Sequence, residues 1–155
     1  RAAEALYHRL VLIVGKSGSG KTSVLQNLAK LYDTELININ LCLSKEFLEL
    51  TEKQRQLKLS EILEQTINGK GNIVFLDNIE ILFGVELMQD PLRLLQGLSR
   101  NISIVASWNG TFEKGKLNYA EPGHQEYRTY DLNDILLVSM SGEASIDTKE
   151  SGEVI

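Results

Sequence analysis

Leu10-Val11-Leu12-Ile13-Val14-Gly15-Lys16-Ser17-Gly18-Ser19-Gly20-Lys21-Thr22 is the stretch that decides how the rest of the chain is read. An apolar run ends in glycine, and the spacing Gly, four residues, Gly-Lys-Thr follows at once. A loop that wraps a phosphate turns its backbone N–H groups inward, which demands glycines that tolerate positive φ and close approach. The loop then opens a helix whose N-terminal partial positive charge faces the anion. In this pattern Lys21 reaches the β- and γ-phosphates and the Thr22 hydroxyl ligates Mg²⁺. The nucleotide-binding set is therefore Gly15, Lys16, Ser17, Gly18, Ser19, Gly20, Lys21, Thr22 and Ser23. Chance yields the spacing in roughly one chain in a few hundred of this size. A Gly/Ser linker fits badly, because Val24-Leu25-Gln26-Asn27-Leu28-Ala29 continues with apolar residues at helical spacing.

Length and charge narrow the class. A chain of 155 residues makes one domain with a sizeable core and is short for a two-domain ATPase. Lys and Arg number 16 against 21 Asp and Glu, a formal charge of −5. That balance excludes a whole-chain basic footprint, while DNA remains compatible with a local basic surface. Cys42 is the single cysteine, so an internal disulfide is excluded and a reducing cytoplasm fits. The apolar runs are short and broken, and none reads as a membrane span or a signal peptide.

The order of elements follows from periodicity and punctuation. Ala2 to Arg9 reads as a short amphipathic helix, Leu10 to Val14 as a strand, and Lys21 to Leu31 as a helix. Glu35 to Ile39 reads as a second strand, with Ser44 as the N-cap of a helix over Lys45 to Leu50. Thr51 and Gln54 have capping-box spacing, opening a helix to Ile67. On that helix Lys53, Arg55 and Lys58 alternate with Glu52 and Glu61, which reads as a solvated face. Asn72 to Asp77 is a buried strand, Asp90-Pro91 starts a helix through Ser99, and Ile102 to Ala106 is a further strand. Asn109-Gly110 and Lys114-Gly115 are turn signals around a hairpin over Thr111 to Tyr119. Glu121-Pro122-Gly123 breaks the chain, Asp134 to Met140 is a last apolar strand, and 141–155 is a polar, flexible tail. The expected fold is α/β: a mostly parallel sheet with helices on both faces, a P-loop NTPase core over residues 1–140 without an evident lid domain.

A phosphate loop licenses nucleotide binding; hydrolysis needs a held Mg²⁺ and an activated water. Asp77 closes an apolar strand, where a P-loop NTPase carries its Walker-B acid, so Asp77 and Thr22 are the expected metal ligands. The next residue, often a water-polarising Glu, is here Asn78, which orients water but takes no proton. Glu80 is the nearby alternative, against the ordinary reading of a surface carboxylate. Ser107 and Asn109 end the strand where AAA+ ATPases place a polar residue that senses the γ-phosphate. Trp108 between them reads as a packing anchor. Arg128 resembles the late position of an AAA+ arginine finger acting in trans, against an exposed structural arginine. Lys21, Asp77, Asn78, Glu80 and Arg128 are thus the catalytic candidates. His8 and His124 lack partners at ligand spacing, so no zinc site is expected.

Several runs together resemble the BrxF family, the small P-loop proteins of type 3 BREX bacteriophage-exclusion systems. They are Gly15 to Thr22, Asn38-Ile39-Asn40-Leu41-Cys42-Leu43-Ser44 and Leu76-Asp77-Asn78-Ile79-Glu80-Ile81-Leu82-Phe83. To these are added Gln89-Asp90-Pro91-Leu92 through Arg100 and Tyr119-Ala120-Glu121-Pro122-Gly123-His124. The resemblance spans Leu10 to Met140. It implies an ATP- and Mg²⁺-dependent, AAA+-like component of cytoplasmic antiviral defence, working beside a DNA methyltransferase, a helicase and other BREX proteins. The family's Walker-A residues fall on Gly15, Gly20, Lys21 and Thr22, and its Walker-B acid on Asp77. The AAA+ likeness implies a homo-oligomeric ring. Two readings follow: an ATPase whose turnover is slow or depends on assembly, and a nucleotide-loaded adaptor with negligible turnover. A small-molecule kinase ranks lower, since no Arg-bearing lid segment is visible. The chain has no guanine-reading Asn-Lys-x-Asp motif, which favours adenine.

Overall fold

The computed structural model describes residues 9–120, 125–131 and 135–140, and the backbone of 144–147 and 153–154. Strand β1 (Leu10–Gly15) lies between two parallel neighbours, β4 (Ser103–Glu113) and β7 (Ile135–Ser139). Beyond β4 come β3 (Ile73–Asp77) and β2 (Leu36–Asn38), both parallel, giving the order β2-β3-β4-β1-β7. The continuous apolar runs are explained by burial on two faces. Leu10, Leu12, Val14, Val74, Leu76, Ile104 and Ala106 point into the larger core, and Ile13, Phe75 and Val105 into the smaller one.

Helix α1 (Lys21–Leu31) closes the smaller core with Leu25 and Ala29. Helices α2 (Ile39–Phe47), α3 (Glu52–Ile67) and α4 (Pro91–Leu98) cover the opposite face. The expected parallel sheet with helices on both faces is the fold observed. The Thr51–Gln54 capping box forms in both directions. Asp90 accepts from the Arg93 N–H with Pro91 at the first helical position. Among the described residues, no helix is long and apolar enough to cross a membrane.

Three local expectations are corrected. Helix α2 starts at Ile39, capped by the Asn38 side chain on the Leu41 N–H, and Ser44 lies inside it. Ile39, Leu43 and Phe47 recur at four-residue spacing and are buried, so the apolar stripe sets the helix six residues earlier than Ser44 suggests. Arg55 is not a solvated charge. Its guanidinium donates twice to the Phe47 carbonyl, at 2.8 and 3.2 Å, and lies 5.4 Å from the Phe47 ring centroid, tying α3 to the end of α2. Asn109-Gly110 is no turn. Strand β4 runs through it to Glu113, and β5 (Lys116–Tyr119) returns after a two-residue turn in which Lys114 and Gly115 have φ of 52° and 74°.

Strand β6 (Arg128–Asp131) pairs with β5, so the far half of β4 becomes one member of a three-stranded antiparallel arm. Residues 141–155, read from composition as a tail, contain β8 (Ala144–Asp147) and β9 (Glu153–Val154), antiparallel additions that supply partners to the outer edge of β7. The helix expected over Ala2 to Arg9, the Glu121-Pro122-Gly123 break and both histidines lie wholly or mainly outside the described residues.

Candidate active site

The phosphate loop is built from glycines used in two different ways. Gly18 and Gly20 have φ of +80° and +96°, a backbone that a side chain strains. Gly15 is needed for space instead: a Cβ there would stand 2.5 Å from Ser19 Oγ and 2.8 Å from Met140 Cγ. Gly20 also caps α1, and no side chain caps that terminus, nor does an acid occupy its first turn. The helix start is therefore open to an anion. Lys21 is only 6 % exposed, and its Nζ donates to the Gly15 carbonyl at 2.8 Å and the Lys16 carbonyl at 2.6 Å. Burial lowers the Lys21 pKa from its ordinary value, opposed by the Glu80 carboxylate first and Asp77 second.

Asp77, 5 % exposed at the end of β3, is held through both oxygens. Thr22 Oγ1 donates to Oδ2 at 2.6 Å, and Ser107 Oγ donates to Oδ1 at 2.7 Å. Thr22 and Asp77 thus present two hard oxygen donors on one spot, a set that suits Mg²⁺. Among the described residues no cluster of three or more His, Cys, Asp or Glu exists, so phosphate oxygens and water would complete such a site.

Asn78 adopts left-handed φ and ψ of 53° and 54° and turns the chain off the strand. A 3-10 helix follows, Ile79–Phe83, and brings Glu80 back toward the loop. Glu80 Oε1 accepts from Asn109 Nδ2 at 2.5 Å. Asn109 stands in register with Gly15 on the neighbouring strand, so Glu80 is held at the mouth of the phosphate loop. Beside it, a groove of about 420 Å³ runs between Gly15, Lys16, Ser19, Thr111, Phe112 and Met140.

With this geometry in place, the comparison with known families is decisive. The ATPase family associated with various cellular activities (AAA) matches residues 11–106, from β1 through the phosphate loop and Asp77 into β4. The chain belongs to the AAA family. No curated protein matches it. Among solved structures it is similar to PCH-2 from C. elegans, at 26 % identity and a TM-score of 0.42, over 68 % of this chain and 31 % of that one. It is also similar to AMPPCP-bound DnaA from Aquifex aeolicus, at 20 % identity and a TM-score of 0.39, over 90 % of this chain and 42 % of that one. The chain therefore spans less than half the length of either structure.

Hydrogen bonds and register sort the expected residues. Lys21, Thr22, Asp77, Glu80, Ser107 and Asn109 converge, each strand-end polar residue engaging a different acid. Asn78 contributes the turn, its carbonyl accepting from the Asn40 N–H at 3.0 Å. Lys16, Ser17 and Ser23 are exposed on the loop and the first turn of α1. Arg128 stands on β6 opposite Tyr119 and beside the Tyr130 phenol. Two contributors go beyond the sequence pattern, which offers only Trp108 as a packing anchor. Met140 packs against Gly15, and a ring cluster of Phe83, Trp108 and Tyr119 lies behind Glu80. Neither carries a motif; only contact reveals them.

Proposed function

We propose that this AAA chain binds ATP with Mg²⁺ on the Gly15–Ser23 loop and hydrolyses it with Glu80, not Asn78, as the base. The observation that carries this reading is the left-handed turn at Asn78, which delivers Glu80 to Asn109 and to the electrostatic reach of Lys21. In the step itself, a water oxygen bonds to the γ-phosphorus, the bond to the bridging oxygen breaks, and ADP leaves. Glu80 receives the water proton. Lys21 offsets charge on the β- and γ-phosphates, and Asp77 with Thr22 would hold Mg²⁺, which neutralises the charge developing between them. Ser107 and Asn109 keep the two acids apart in role by fixing their orientation.

The test is phosphate release from ATP and GTP by wild type, Lys21→Ala and Glu80→Gln at several protein concentrations. Glu80→Gln is expected to lower kcat by about 100-fold or more while ATP binding persists. A loss under a few fold removes Glu80 from the chemistry. An adaptor with negligible turnover is the second reading, favoured by the amide at Asn78, and absent turnover with retained ATP binding would establish it.

The finer reading is that the chain serves BREX-type phage exclusion in the cytoplasm, assembled with copies of itself and with other BREX proteins on or near DNA. Residues 1–140 form its NTPase domain in this reading, with β8 and β9 added antiparallel at the edge of β7. The resemblance of the Asp77–Phe83 and Gln89–Arg100 runs supports it. Loss of phage exclusion on Lys21→Ala, in a host carrying the complete system, checks it.

A further inference from the structure

Glu80 rides on a five-residue 3-10 helix, an element too short to fix its own position. Its far end is fixed from outside. Phe83 stacks face to face on Tyr119, with ring centroids 3.4 Å apart and planes 4° from parallel. Trp108 meets both rings edge-on, 5.2 Å from Phe83 and 5.7 Å from Tyr119. Tyr119 closes β5 of the antiparallel arm, and Trp108 Nε1, from the parallel half of β4, donates to the Asn118 carbonyl at 3.0 Å, tying its ring to the arm. Gly110 lets the strands approach: a Cβ there would overlap the Asn118 carbonyl oxygen. On β4 the neighbours of Trp108 are Ser107, which holds Asp77, and Asn109, which holds Glu80. The strand therefore turns polar groups to the acids and its aromatic residue to the arm.

We propose that Tyr119 is a positioning residue for Glu80: its stack on Phe83 makes the antiparallel arm set where the Glu80 carboxylate stands. The proposal rests on the reading of Glu80 as the hydrolytic base. The Tyr119 ring engages Phe83 and Trp108, so it governs turnover and not affinity. Its hydroxyl gives up no proton in the working range, because burial first and the Glu80 charge second push its pKa up. A displacement of the arm displaces Glu80, which gives a route by which anything bound to the arm controls hydrolysis.

Two substitutions separate ring from hydroxyl. Tyr119→Leu keeps apolar bulk without the stack, and Tyr119→Phe keeps the stack without the oxygen. Tyr119→Leu is expected to lower kcat about tenfold or more while the calorimetric Kd for a non-hydrolysable ATP analogue with Mg²⁺ stays within about twofold. Tyr119→Phe is expected to retain wild-type kcat. Wild-type kcat in Tyr119→Leu overturns the proposal, as does an equal loss in Tyr119→Phe. A readout needing no variant keeps the test open should Tyr119→Leu fail to fold. Trp108 is the single tryptophan, and its emission is expected to shift when wild type is saturated with the analogue and Mg²⁺. Confirmed binding without any shift overturns the coupling. Glu80→Gln with intact turnover would instead sink the reading of Glu80 itself, and the two failures are distinct.

Discussion

Lys21 shows how much a single buried charge can decide. Its folded pKa lies below the ordinary lysine value, so between the two the unfolded chain binds more protons than the folded one. Stability of the nucleotide-free protein is therefore expected to rise with pH through that window, as the cost of the buried ammonium is relieved. Nucleotide phosphates add counter-charge against that burial, so binding is expected to take up a proton there and ATP affinity to fall as pH climbs. Calorimetric titrations in buffers of different ionisation enthalpy check the proton uptake. Ser107 makes a complementary case at Asp77. Ser107→Ala leaves a carboxylate oxygen without its hydroxyl donor in a nearly dry site, costing about 1–3 kcal/mol of stability. Urea unfolding reads that loss.

Residue-scale chemistry is the most legible part of the chain, because the phosphate loop needs fixed residue types at fixed spacing. Lys21, Thr22 and Asp77 follow from that spacing and from the apolar strands beside them. The choice between Asn78 and Glu80 does not. It depends on one backbone conformation, a left-handed φ at Asn78, which residue type permits but does not dictate.

Elements with a cap signal are legible to within a residue or two: α3 from Thr51 and Gln54, and α4 from Asp90-Pro91. Where two signals compete, the apolar stripe wins. Ser44 is a good cap in isolation, but burial of Ile39, Leu43 and Phe47 outweighs one capping bond, and Asn38 supplies the cap where the stripe begins. Asn109-Gly110 misleads for a related reason. Its glycine serves close strand approach beside Asn118 rather than a reversal, and the reversal falls at Lys114-Gly115. Gly110→Ala is accordingly expected to destabilise by about 1–3 kcal/mol and to loosen β5 and β6 before the parallel sheet. Hydrogen exchange, reading protection at Leu117 and Tyr130 against Leu12 and Val105, checks the order of loss.

At the scale of the whole molecule, alternation of strand and helix is enough to foresee a parallel sheet with covered faces, since each continuous apolar run requires two partners. The antiparallel arm is foreseeable only as a hairpin. Its tie to Glu80 runs through rings far apart in sequence, and no spacing rule joins Phe83 to Tyr119. The arm also carries Arg128, on the strand outside β5. A role for Arg128 resembling an arginine finger acts toward a neighbouring copy, so assembly is its deciding variable. If Arg128 completes a neighbour's site, turnover per subunit rises steeply with protein concentration, and Arg128→Ala keeps ATP binding while losing about 1,000-fold or more in kcat. Lys21→Ala is equally inactive, for the opposite reason: its own cradle is broken but its Arg128 is intact. Mixing the two inactive proteins then restores turnover, because a Lys21→Ala copy lends Arg128 to an intact cradle beside it. A flat concentration dependence and no recovery on mixing would make Arg128 a structural residue of β6 and leave charge stabilisation to Lys21 alone.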